Sequence, residues 1–412
     1  MTRPRFAALL VVLLTAIGLA GQPGTAVAAH AKAKARVKAV AAIPPAPAAT
    51  SQTTGGIDTE ATHAMIVEVE TGAVLLDKGA DERMPPASMA KMMTIYTVFT
   101  MLKDGKAKLS DELPVSEEAW RTGGSKMFVP LGARVSIDDL LHGAIIQSGN
   151  DACVVLAQGL AGSVEAFVDL MNQKAKEIGL KDSHFTNVDG LPDPNEWMTP
   201  RDLVTLAIRT IKDFPEYYKI YSQMDFTFNN IKQGNRNPLL YKNMGADGLK
   251  TGHTDEAGYS LTASLVRGNR RIIMVLGGLP SMKARAEESE RLADWAFREF
   301  NNYQLFAAGD KIDDAEVWLG NDARVPLTVI KDLVVTLSRQ ARKDMHVTLQ
   351  YDSPIPAPIQ KGETVGTIIV TAPDTPQQEL PLVAAAAVPR MDAGGRIATL
   401  AGYLVWHKLA LR

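Results

Sequence analysis

Between Pro85-Pro86 and Lys103-Asp104-Gly105 the chain is apolar nearly all round a helical wheel, from Met89 and Met92 through Ile95, Val98 and Phe99 to Leu102. A helix with no polar stripe is one buried on all sides. Two prolines suit its start, and Lys-Asp-Gly is a stop signal. Ahead of it, Met65-Ile66-Val67-Glu68-Val69, a Glu70-Thr71-Gly72 turn and Val74-Leu75-Leu76 predict a β-hairpin. Behind it, Ser116 to about Lys219 reads as mainly helical, broken at Thr122-Gly123-Gly124-Ser125 and at Asp189-Gly190-Leu191-Pro192-Asp193-Pro194. Two further strands follow, Tyr259 to Val266 and Arg271 to Leu276, and then a helix from about Met282 to Phe300. Strands at both ends with helices between predict an α/β (α+β) domain over residues 58–302, one antiparallel sheet covered by helices.

The texture changes on either side. Over 303–390, short β-rich runs such as Leu333-Val334-Val335-Thr336-Leu337 and Thr367-Ile368-Ile369-Val370 alternate with Gly, Pro and Asp turns, which predicts a small all-β domain. It carries no cluster of catalytic residue types and reads as a spacer or docking module. Residues 1–28 read as a secretory signal, with Arg3 and Arg5, an apolar run from Ala7 to Ala20, and a small-residue cleavage site at Ala26-Val27-Ala28. Residues 29–57 are an Ala/Lys/Pro-rich stretch read as a disordered linker. In 391–412, Ile397, Leu400, Ala401, Leu404 and Val405 recur at helical spacing, beside Arg396, His407, Lys408 and Arg412 and the interface-seeking Tyr403 and Trp406. That stretch is short for a span and interrupted by charge, so it predicts an amphipathic helix lying on a membrane, with docking on the β-rich domain as the alternative.

Within the buried helix two polar residues break the pattern. Ser88 and Lys91 are three apart and so share one face. An ammonium in an apolar helix needs a reason, and activating a neighbouring hydroxyl is one. Charge excludes another class of function. Lys+Arg 44 against Asp+Glu 46 leaves a formal charge of −2, without the basic excess of a nucleic-acid binder. The single cysteine, Cys153, lies in the apolar run Ala152-Cys153-Val154-Val155 and reads as a small buried hydrophobe. The seven histidines show no metal-ligand spacing, so neither a metal nor a cofactor is expected.

Two more short motifs follow the Ser88 helix, Ser148-Gly149-Asn150 after Ala144-Ile145-Ile146, and Lys250-Thr251-Gly252-His253-Thr254 just before the Tyr259 strand. With Ser88-Met89-Ala90-Lys91 they resemble the three motifs of penicillin-binding proteins and serine β-lactamases. Asp247-Gly248 before the third motif, Glu256-Ala257-Gly258-Tyr259 after it, and Thr122-Gly123-Gly124-Ser125-Lys126-Met127-Phe128 are similar to the low-molecular-mass serine D-alanyl-D-alanine carboxypeptidases. So is the layout of signal, catalytic domain, β-rich domain and amphipathic tail. The resemblance runs from about Thr62 onward and leaves out the linker.

That resemblance implies a β-lactamase/DD-peptidase-like catalytic fold and an enzyme that removes terminal D-alanine from peptidoglycan stem peptides ending in D-Ala-D-Ala. It implies β-lactams as covalent inhibitors, and a protein on the periplasmic face of the cytoplasmic membrane. Ser88 would be the nucleophile, Lys91 the general base and Ser148 a proton relay. Lys91 can accept a proton only when neutral, which from a pKa of about 10.4 costs roughly 4.6 kcal/mol at pH 7. Burial, the helix N-terminus and a second cation, Lys250, would lower that cost. Asn150 would hold Lys91 and the substrate amide. Lys250, Thr251 and Gly252 would line the carboxylate pocket, and the backbone N–H groups of Ser88 and His253 would hold the oxyanion. Arg236 falls where the family carries a carboxylate-binding arginine, although a solvated surface arginine fits equally well. Three alternatives stay open: a β-lactamase, disfavoured because no Glu-x-x-Leu-Asn lies between Asn150 and Lys250, a DD-endopeptidase using the same residues, and a catalytically dead cell-wall-binding protein.

Overall fold

The computed structural model describes residues 7–12 and 56–410; the signal and linker readings fall otherwise outside the described residues. Two compact units divide between Glu299 and Phe300.

The first unit is organised on a five-stranded antiparallel sheet of β1 (His63–Glu68), β2 (Val74–Lys78), β3 (Ala246–Thr254), β4 (Gly258–Arg267) and β5 (Arg270–Leu279), in the order β2-β1-β5-β4-β3. The expected hairpin forms, and β1 then pairs with a strand some two hundred residues on, with Ile66 opposite Met274. Ile272 to Leu276 are all fully buried, so both faces of β5 are covered. The cover comes from α1 (Lys91–Lys103), α2 (Ile137–Ile146), α3 (Asn150–Ala161), α4 (Val164–Glu177), α5 (Pro200–Asp213) and α6 (Met282–Glu299). Polar side chains mark several starts: Ser136, Ser163 and Thr199 each accept a backbone N–H three residues on. Ringed by α2, α3, α4 and α5, α1 is the buried helix that the pattern predicts.

Two local expectations are corrected. Ser88 is not in the first turn of an α-helix. It sits in a 3-10 turn, Ala87–Ala90, and the α-helix starts at Lys91. Ala87 is left-handed, with φ +47°, and a regular α-turn cannot include it. The Lys-Thr-Gly segment is not a lead-in to the Tyr259 strand. It is part of β3, with Lys250 opposite Thr262 and Gly252 opposite Ser260. Ala-Asp-Gly-Leu-Lys-Thr-Gly-His-Thr has little intrinsic strand preference, and pairing along β4 decides the matter.

Among its described residues the second unit is all β apart from the 3-10 turn Ala341–Asp344 and its C-terminal helix. β6 (Phe300–Phe306) pairs with β9 (Leu333–Ser338). A seven-stranded sheet runs, in order, Ala7–Val12, β10 (His346–Asp352), β12 (Thr364–Ala372), β13 (Thr375–Ala384), β8 (Arg324–Thr328), β7 (Asp313–Trp318) and β11 (Ile355–Pro356). Ala7–Val12, part of the apolar run read as signal, is here an edge strand antiparallel to β10. Val325, Leu327, Val335, Leu349, Ile368 and Leu382 form the core. The terminal helix α7 (Ala393–Ala410) leaves Ile397 68% and Leu400 43% exposed. Among the described residues no single helix is long and apolar enough to cross a membrane.

Candidate active site

The three motifs arrive from three elements. The 3-10 turn before α1 brings Ser88, the turn between α2 and α3 brings Ser148, and the edge strand β3 brings Lys250 to His253. Close approach of backbone to backbone makes this possible. A Cβ on Gly252 would lie 2.9 Å from the Pro86 carbonyl oxygen, so only glycine lets β3 run against the Ser88 turn. Ser148 takes φ +59°, a strained conformation for a residue with a side chain, and Ala87, just before Ser88, is left-handed as well.

Lys91 is fully buried and forms no ion pair among the described residues. Its Nζ lies 2.9 Å from Ser88 Oγ and also donates to the Asp189 carbonyl. Lys250 Nζ donates to Ser148 Oγ at 2.8 Å and to its neighbour's carbonyl, Thr251 O, at 3.0 Å. Burial holds both amines below the ordinary lysine range. On Lys91 the further downward push comes from Arg236, opposed by Cys153, Asp189 and Glu196. On Lys250 it comes from Lys91 and Arg236, and the depression is large. The sequence reading made Lys250 the cation that lowers Lys91; the two buried amines each disfavour the other's charge, and Arg236 adds to the push on both.

Asn150 is also differently engaged. Its Nδ2 donates to the Gly123 carbonyl at 2.8 Å, while its Oδ1 is buried without a partner among the described residues. It does not hold Lys91, which the Asp189 carbonyl does instead. The next residue, Asp151, is fully buried and accepts the N–H groups of Met127, Phe128 and Val129, which fixes the Gly-rich rim beside the motif. Arg236 is exposed and donates to Ser125 Oγ at 2.6 Å. The His253 ring is exposed and packs on Tyr259, with centroids 3.9 Å apart. Cys153 is buried and burial pushes its thiol up to about 12, which fits a packing role.

Ser88, Ser148, Arg236, Thr251, Gly252 and His253 line one open cavity of about 550 Å³, together with Ser125 and Arg285. Lys91 and Lys250 lie buried behind its serines. Sequence reasoning missed Ser125, Arg285 and the Asp189 carbonyl. Arg285, buried on the first turn of α6, carried no signal beyond its charge. Asp189 lay in a segment read only as a helix break, and a main-chain acceptor has no side-chain signature.

Comparison with known proteins bears on what this cleft does. Residues 48–280 match the D-alanyl-D-alanine carboxypeptidase family, and residues 300–390 match the C-terminal domain of penicillin-binding protein 5. D-alanyl-D-alanine carboxypeptidase DacA of Haemophilus influenzae is 40% identical over 311 residues, 74% of this chain and 79% of that protein. The crystal structure of penicillin-binding protein 5 from Haemophilus influenzae superposes with a TM-score of 0.71 at 37% identity, covering 84% of this chain and all of that one. Penicillin-binding protein D2 of Listeria monocytogenes, solved in an ampicillin-bound form, superposes with a TM-score of 0.54 at 29% identity, covering 59% of this chain and 99% of that one.

Proposed function

The chain belongs to the D-alanyl-D-alanine carboxypeptidase family, and from that premise we propose how its cleft divides the work. The protein is a serine-type D-Ala-D-Ala carboxypeptidase of cell-wall metabolism, acting on peptidoglycan stem peptides and acylated by β-lactams. Ser88 Oγ attacks the penultimate D-alanine carbonyl while Lys91 takes its proton. The backbone N–H groups of Ser88 and His253 hold the oxyanion. Ser148, polarised by Lys250, passes a proton to the departing D-alanine nitrogen, and water then releases the acyl-enzyme. Thr251 and Arg236, which line the cavity, receive the terminal carboxylate. Asn150 aligns the substrate amide through its unpartnered Oδ1.

One observation carries the reading: a fully buried amine 2.9 Å from a serine hydroxyl, with no carboxylate in ion-pair contact among the described residues. Such an amine is cheap to deprotonate and is therefore a usable base. The test is incubation with a diacyl D-Ala-D-Ala tripeptide, with D-alanine release and covalent labelling by a fluorescent penicillin followed together. Ser88→Ala should lose both. Labelling that persists in this variant would move the nucleophile elsewhere. Cleavage of a cross-linked dimer faster than D-alanine release would favour an endopeptidase.

We also propose that the protein is exported and held at the outer face of the cytoplasmic membrane. The signal-like residues 1–28 and the basic, aromatic tail support this, as does the exposure of Ile397 and Leu400 on α7.

A further inference from the structure

The loop between α4 and α5 carries a buried acid with no part in the steps above. Glu196 is 5% exposed. Its Oε2 accepts from Asn187 Nδ2 and, at 3.3 Å, from Thr186 Oγ1, while Oε1 is buried without a partner among the described residues. Asn187 faces the other way as well. Its Oδ1 accepts the N–H groups of Asp189 at 3.1 Å and Gly190 at 2.6 Å, and its Nδ2 also donates to the Leu191 carbonyl at 3.0 Å. The turn so clamped presents the Asp189 carbonyl to Lys91 Nζ. It also seats Gly190, with φ +74°, where a Cβ would fall 1.9 Å from the Ala87 carbonyl oxygen, one residue before Ser88.

An asparagine carboxamide can present its oxygen or its nitrogen to a neighbour. Only the first choice satisfies the two N–H groups of this turn. A carboxylate on the far side, which accepts and does not donate, enforces that choice together with the Leu191 carbonyl. Burial, with Asp189 and Asp193, pushes Glu196 up to about 8. A proton taken up on the unpartnered Oε1 leaves Oε2 accepting, so the orientation holds in both forms.

We propose that Glu196 and Asn187 are positioning residues, which lock the turn that offers the Asp189 carbonyl and thereby hold the Lys91 amine on Ser88. The proposal rests on Lys91 serving as the base for Ser88. Glu196→Met removes the acceptor at similar volume, Asn187→Ala removes the clamp, and Glu196→Gln restores an acceptor. In the full-length enzyme, acylation by fluorescent penicillin and kcat on the tripeptide should fall about tenfold or more in the first two, because the base is displaced from its nucleophile. KM should stay within about threefold, since no substrate contact is lost. Glu196→Gln should stay near the parent. The double variant Glu196→Met with Asn187→Ala should be no slower than Asn187→Ala alone, because one residue acts through the other. Glu196→Met acylating within about twofold of the parent, or multiplying in full with Asn187→Ala, would overturn the proposal. Should Glu196→Met fail to fold, Asn187→Ala carries the test by the same criterion. An unlabelled parent, or a labelled Ser88→Ala, sinks the catalytic reading itself; a labelled parent with indifferent loop variants sinks only the positioning pair.

Discussion

At the scale of single residues the chemistry turns on whether Lys91 can be neutral. Its burial and the cationic Arg236 both favour the uncharged amine. The acid limb of kcat/KM should therefore lie below the usual lysine pKa of about 10.4, rising as Lys91 deprotonates. The same depression has a consequence for stability. Between the folded and unfolded pKa values the unfolded chain binds more protons, so this lysine's contribution grows as pH rises and is lost as pH falls through the folded value. Lys91→Arg keeps the charge but cannot deprotonate usefully, and acylation should fall by at least about 100-fold. Near-normal labelling of that variant at pH 7 would end the general-base role. Ser148 offers a second reading at this scale. Its left-handed backbone is a strain of about 1–3 kcal/mol that glycine would relieve. Ser148→Gly should raise the melting temperature while slowing acylation; a variant both less stable and fully active would contradict this.

At the scale of elements the site depends on β3 lying against the 3-10 turn. The contact is backbone on backbone, so it tolerates little error. Gly252→Ala would place a Cβ 2.9 Å from the Pro86 oxygen and push the strand outward. Acylation should drop by about tenfold or more, as expected when reacting groups are displaced by a fraction of an ångström to an ångström. The fold should survive, because β3 is an edge strand that among the described residues pairs with β4 alone. Unchanged acylation by Gly252→Ala, measured by stopped-flow labelling, would mean that this contact does not set the geometry.

For the whole molecule, the start of α7 presents Ile397 and Leu400 as exposed apolar surface among the described residues. Deleting Arg396 to Arg412 should release an active enzyme from washed membranes. Anionic vesicles should bind the intact chain more tightly at low salt than at high salt, because the basic groups of the tail are screened. A truncated protein that still sediments with membranes would place the anchor elsewhere.

Local pattern was enough for several of these features. An all-round apolar run must be buried, and α1 is. Three-residue spacing must put Ser88 and Lys91 on one side, and the two atoms meet at 2.9 Å. Apolar and β-branched runs form the hairpin and β4 and β5, because a strand covered on both faces carries such residues at neighbouring positions. What tertiary structure decided has a common character: it depends on groups far apart in the chain, or on main-chain atoms. Lys-Thr-Gly becomes strand because β4 lends it hydrogen bonds, against its own preference. Lys91 is held by the Asp189 carbonyl and not by Asn150, and every residue type carries that carbonyl. Arg236 joins the cations that act on the buried amines, since distance and desolvation set electrostatic strength and neither is visible in a linear order.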